Sequence, residues 1–400
     1  MQEKKDGANH DNMHSYALFN LGFRVFFLGA GIFSLVSISL WAAVYVFQLP
    51  LSMQAVNSSQ WHAHEMIYGY SIAVIAGFLL TAVKNWTGIQ TLHGKPLLLL
   101  FCLWVAARLL FLPGTAYIII AGVLDILFSL LLLLAISYPI IKVKQWTQLS
   151  ILVMLMLLIS GNIFFYLGAL TMLETGTFLG IYGGLYLVIG LILIMGRRVI
   201  PFFIENGVGY RPKLFNAKWN DIAIIVLFST FMVSELLLNA QLVSAYLALS
   251  LFVLNAIRLI GWHTPGIWRK SLLWSLYLAF WFIDSGFLLF ACVHFFGVPK
   301  FIAIHAFTVG GIGVLTMSMM ARVALGHTGR DISKPPLAVG YALGILVLGA
   351  VVRVAVPLIS TQHTIIWTGL SQILWIVAFL IFTITYFPLL SKPRIDGQFG

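Results

Sequence analysis

Twelve apolar runs, each near the ~20 residues that a bilayer's hydrocarbon core demands, leave this chain little choice of architecture. They cover 23–48, 62–83, 96–112, 115–138, 147–172 and 177–196, then 220–239, 241–261, 272–296, 299–322, 336–357 and 364–388. Hydrophobic residues fill 61% of the 400 positions and charged residues 9%, a balance that no soluble globular chain sustains over this length. In hydrocarbon every backbone N–H and C=O must be satisfied internally, so the runs predict helices. The expected fold class is all-α: a polytopic membrane protein with about twelve transmembrane helices. The helices form a single domain over 23–390, between polar tails at 1–22 and 391–400.

A net charge of +11 would suggest a nucleic-acid partner in a soluble protein. Here the 23 basic residues alternate by loop, and all but Arg108, Lys300 and Arg353 fall on one side of the twelve spans. That is the positive-inside pattern, which places both termini in the cytoplasm and removes the nucleic-acid reading. The first fifteen residues are polar and lack the apolar core of a cleaved signal peptide, so the first span is expected to stay as an anchor. The longest loop, 197–219, is basic and carries Pro201, Gly207, Gly209 and Pro212, which reads as a turn facing lipid headgroups.

Polar residues inside such spans are costly and mark function. The densest set is Trp61-His62-Ala63-His64-Glu65, where a polar loop enters the second span from the outer side. On a helix, positions two apart point about 200° from each other, so His62 and His64 cannot chelate one metal. Two sites, or one ligand and one support, follow. Glu65 can hydrogen-bond an imidazole or carry protons. His305 lies about two turns into the tenth span at a similar depth, which makes it a candidate third ligand. His294 and Cys292, at the end of the ninth span, suit copper. Arg108 and Arg353 sit just inside the outer ends of the third and eleventh spans. They either snorkel to headgroups or bind anions such as haem propionates. Asp125 and Asp284 are expected near the midplane, where a proton path is one use for a carboxyl group and a bond to a neighbouring helix is another.

Other signals are weaker. Neither cysteine belongs to a CxxCH or CxxC pattern, which disfavours covalent c-type haem and iron–sulfur clusters. Gly180 with Gly184, Gly340 with Gly344, and the group Gly310, Gly311 and Gly313 predict close helix approach. His327 is 22 residues beyond His305, about 33 Å along a helix, and cannot share its site.

These motifs carry a family resemblance. Leu21 to Phe27, Trp61 to Glu65, Gly77 to Gly88, Arg198 to Phe203, and His305 through Arg330 resemble the NnrS family, in the right order along the chain. Val25 and Lys84 depart from it, standing where proline is expected in many relatives. The resemblance implies a bacterial inner-membrane protein that contains haem, of non-covalent b-type, and copper. It also implies a link to nitric-oxide metabolism and tolerance of nitrosative stress. A second likeness, twelve spans with a HxH pair near the outer face, is to the core subunit of haem–copper oxidases and nitric-oxide reductases. In this chain the pair lies in the second span.

The resulting expectation is a membrane haem protein that binds nitric oxide, or a species derived from it, near the outer face and has the parts for reducing it. His62, His64, His305 and His294 are the candidate metal ligands, Arg108 and Arg353 hold propionates, and Glu65, Asp125 and Asp284 handle protons. Electrons come from quinol or an external donor. The alternatives are a membrane transporter, weakened by the lack of an evident internal repeat, and a passive haem- or copper-binding sensor.

Overall fold

The computed structural model describes residues 17–49, 56–112, 117–360 and 362–400. His10, His14 and most of the tail expected over 1–22 lie outside them. Among the described residues, twelve helices are long and apolar enough to cross a membrane. We label them α1 (Gly22–Tyr45), α2 (Ser58–Thr87), α3 (Gly94–Phe111), α4 (Ile118–Lys142), α5 (Trp146–Ala169) and α6 (Gly176–Gly207). The second half comprises α7 (Lys218–Leu238), α8 (Gln241–Trp262), α9 (Ser271–Phe296), α10 (Lys300–His327), α11 (Leu337–Ile359) and α12 (Thr364–Ser391). Each answers one of the apolar runs, and no strand occurs among the described residues.

Two boundaries move in ways that matter. α2 begins at Ser58, where Asn57 accepts from the Gln60 N–H at 2.8 Å and the Gln60 side chain accepts from the Asn57 N–H at 3.0 Å. This capping box starts the helix a turn earlier than the apolar run suggests, so His62 and His64 stand inside the helix. α6 continues through Pro201 to Gly207, which shortens the expected basic loop to 208–217. Arg197 and Arg198 at the membrane edge are held by Asp221 at 3.3 Å and by Gln148 at 3.1 Å.

α2 is the most enclosed span, with 78% of its apolar window buried, followed by α6 and α10 at 67% each; α7, at 22%, is peripheral. α1 packs between α2 and α12, and α10 packs against α9 and α11. Small residues set the close contacts: a Cβ on Gly180 would lie 2.8 Å from the Gly161 carbonyl, and one on Gly184 3.0 Å from Ile67. The same expectation fails at the second pair. A Cβ on Gly344 would meet nothing within 4 Å and one on Gly340 only Ser271 at 3.6 Å, because these glycines face open space.

Both central helices change pitch. Residues Glu65–Ser71 of α2 and Ala306–Gly313 of α10 form π-helical turns, directly after Glu65's neighbour His64 and directly after His305. A wider turn frees carbonyls that lipid cannot satisfy. Ser71 donates to the Met66 carbonyl at 2.8 Å, Trp104 to that of Gly69 at 3.0 Å, and Thr316 to that of Ile312 at 2.6 Å. Such turns recur at functional sites, and these two face each other across the cavity described next.

Candidate functional site: a histidine cavity beside a buried charge cluster

The 200° separation of His62 and His64 sends them into different surroundings. His62 faces a cavity of about 410 Å³ enclosed by α1, α2, α6, α10, α11 and α12. That is within the ~300–1,000 Å³ typical of ligand and cofactor sites. His305 and Arg353 line the same cavity, as do Trp41, Tyr45, Tyr70 and Trp375. The His62 ring lies flat on Trp41, with centroids 4.7 Å apart and planes 4° from parallel.

His305 is oriented by its own helix. Its Nδ1–H donates to the Phe301 carbonyl at 2.6 Å, which leaves Nε2 as an acceptor. Arg353 donates to that Nε2 at 3.3 Å, with its guanidinium 5.2 Å from the centre of the Phe301 ring. An imidazole whose second nitrogen is tied to a backbone carbonyl is the arrangement found in metal-ligating histidines.

The cavity wall is short of partners. His62 Nδ1, Arg353 Nη1, Thr368 Oγ1 and both polar atoms of Gln372 are buried without a hydrogen bond. All four side chains line an adjoining pocket of about 40 Å³ that shares His62, His305, Arg353 and Thr368 with the larger cavity. Thr368 is 3% exposed and Gln372 7%, so bulk water does not serve them. Buried polar groups are almost always paired, and several orphans around one void indicate that a polar ligand belongs there. Two imidazoles, a cation for an acidic substituent and flat aromatic walls fit a haem. Thr368 and Gln372 escaped the sequence reasoning. Their signal was present, as two polar residues one helical turn apart, with Ser371 beside them, in the outer half of a mostly apolar span.

His64 belongs elsewhere. It is fully buried, and its ring stacks on Phe165 at 4.2 Å and Phe111 at 5.0 Å. Its Nδ1 lies 2.9 Å from Glu65 Oε1 and its Nε2 2.9 Å from Asn162 Oδ1. The Asn162 amide is turned by donating to Asp125 at 3.0 Å, so its oxygen faces the imidazole. Both ring nitrogens thus already have protein partners, Glu65 and Asn162, and neither is turned to the cavity. The expectation that His64 is a ligand gives way to that of a buried support.

Arg108 completes this cluster. It pairs with Glu65 at 2.8 Å and Asp125 at 2.5 Å, and Tyr166 donates to Asp125 at 3.2 Å. Arg108 is 4% exposed, so it does not snorkel, and it is not on the cavity wall. Its expected role as a propionate partner is replaced by that of a counter-ion, because two carboxylates already claim its guanidinium. Asp125 is the eighth residue of α4 and shares the level of Arg108 instead of the midplane. Arg108 thus offsets the Glu65 and Asp125 carboxylates, and His64, Asn162 and Tyr166 supply their remaining partners, which is what permits the burial of the cluster.

Other candidates do not join. Asp284 is fully buried, its carboxyl oxygens lack hydrogen-bond partners, and it does not line the cavity. His294 lies in the last turn of α9 against Phe295, away from the cavity wall. Both cysteines are free, and among the described residues no three His, Cys, Asp or Glu side chains gather as a metal ion requires. A copper centre built from His294 and Cys292 beside the histidines is therefore not assembled. Lys300, the last exception to the charge pattern, pairs with Glu235 at 2.9 Å. His327 ends α10 far from His305; its ring packs 5.6 Å from that of Phe23, and Asn85 reaches it at 3.5 Å.

A family model described as NnrS protein matches residues 17–394, nearly the whole chain. No curated protein matches it. The match spans every element that builds the cavity and the charge cluster, and the chain belongs to the NnrS family.

Proposed function

We propose that this protein holds a b-type haem in the cavity between α2 and α10 and there binds nitric oxide, or a species derived from it, in a bacterial inner membrane. One observation carries the proposal: the unpartnered polar atoms of His62, Arg353, Thr368 and Gln372 converge on one void that His305 also lines. When bound, haem supplies an iron that takes nitric oxide as a ligand and exchanges single electrons.

The protein's part is placement. Phe301 sets the tautomer of His305, Trp41 fixes the plane of His62, and Arg353, which now reaches His305, would hold a propionate. Thr368 and Gln372 offer donors to the same ligand. The charge cluster supports His62 from behind: it locks Glu65, three residues on, and with it the start of the π turn. A second, wholly apolar slot of about 100 Å³ between α1, α2, α6, α9 and α10 shares Ser71 with the cavity. An apolar diatomic gas dissolved in lipid has a route there, with the Tyr70–Thr316 hydrogen bond (2.7 Å) at the junction. Turnover, as distinct from binding, requires electrons from quinol or an external donor.

Purification with an optical spectrum and metal analysis tests the proposal. Iron with a Soret band that shifts on anaerobic addition of nitric oxide is expected. A folded, colourless, metal-free protein refutes it. Nitric oxide taken up once and not consumed identifies a binder and not a reductase.

A further inference from the structure

The face of the protein at which α1 begins and α12 ends has a second cavity, apart from the one that His62 and His305 line. It is an open groove of about 1,030 Å³ where the ends of α6 and α10 meet the starts of α9 and α11. Arg269, Lys270, Arg322, Arg330 and Lys334 line it, against one carboxylate, Asp331. Among the described residues none of these five cations makes an ion pair. Asp331 is itself engaged, accepting from the Ser333 N–H at 2.8 Å.

A basic bias on this face is expected of any multi-span protein, but its local arrangement goes further. α9 and α11 both begin in the groove, and neither has a side-chain cap. Their first turns lie side by side with a gap between them that a Cβ on Gly340 would fill, 3.6 Å from Ser271. Two adjacent helix starts thus direct free N–H groups and positive dipole ends into a space already rich in cations. Exposed apolar side chains also line it: Phe202 is 58% exposed, Trp268 49% and Leu337 83%.

We infer that the groove is a binding site for the phosphodiester headgroup of an anionic phospholipid. Charge complementarity selects the phosphate, and the exposed apolar side chains beside the cations offer contact to acyl chains. A soluble phosphate has no use for those side chains. Basic pockets between transmembrane helices hold anionic headgroups in this way, each Lys or Arg strengthening binding roughly fivefold.

The full-length protein in nanodiscs of mixed phosphatidylglycerol and phosphatidylcholine provides the test, with native mass spectrometry counting retained lipid. The protein is expected to keep phosphatidylglycerol selectively. The triple variant Arg269→Gln, Lys270→Gln, Lys334→Gln, confined to the groove's loops and helix start, should lose about a hundredfold in retention. A control of equal charge, Lys142→Gln, Lys144→Gln, Lys213→Gln, removes cations of the same face outside the groove and should retain it. Equal loss in both triples reduces the site to general surface charge and overturns the inference. Equal retention of phosphatidylcholine does the same, and so does displacement of the lipid by excess inorganic phosphate.

Discussion

Replacing Arg108 by leucine tests the logic of the buried cluster most directly. The substitution keeps an apolar stem in α3 but removes the cation that faces Glu65 at 2.8 Å and Asp125 at 2.5 Å. Those carboxylates are 1% and 0% exposed, so water cannot replace the guanidinium. Breaking a buried pair by deleting one partner costs ~3–5 kcal/mol, about two to three and a half powers of ten in the folded fraction. Unfolding by SDS titration in mixed micelles reads this loss. A second substitution, Asp125→Asn, removes one of the two carboxylates that Arg108 faced and should recover part of it. Two results refute the reasoning: Arg108→Leu unfolding at the wild-type SDS fraction, or a double variant no more stable than the single one. Either would mean that Arg108 is not what offsets the buried carboxylates.

His305→Ala and His62→Ala should each abolish or alter the haem spectrum while the protein still elutes as a folded monodisperse species, whereas His327→Ala leaves the spectrum unchanged. His64→Gln should lower stability by ~1–3 kcal/mol through lost buried hydrogen bonds yet leave the proposed haem content unchanged, which a pyridine haemochrome assay measures. Gly310→Ala places a methyl against Phe282, where the structure has no room, and should cost ~1–3 kcal/mol. Gly344→Ala meets nothing within 4 Å and should be neutral in the same melt. Gln372→Leu should weaken retention of the bound ligand without lowering thermal stability, because its polar atoms have no partner in the protein to lose.

The three basic residues that break the charge pattern show how far sequence alone reaches. Their positions marked Arg108, Lys300 and Arg353 as exceptional, yet their tasks differ. Arg108 neutralises two carboxylates, Lys300 one, and Arg353 sits on the cavity with His305. Neither depth nor spacing distinguishes these roles, since each depends on which helix lies opposite. Asn162 and Tyr166 were overlooked for the same reason. They acquire meaning only when α5 brings them to Asp125 and, for Asn162, to His64.

By itself the sequence determined the twelve helices, the alternation of charge between their ends and the opposed directions of His62 and His64. All three follow from local rules: the thickness of hydrocarbon, the backbone's need for internal hydrogen bonds, and 3.6 residues per turn. Tertiary structure alone decided that His62 meets His305 while His64 meets Arg108 and Asp125, that Gly344 is not a contact, and that α12 supplies Thr368 and Gln372. The physical reason is that a span in lipid is apolar on every side. The face turned to a neighbour and the face turned to acyl chains are written in the same residues, and only packing tells them apart.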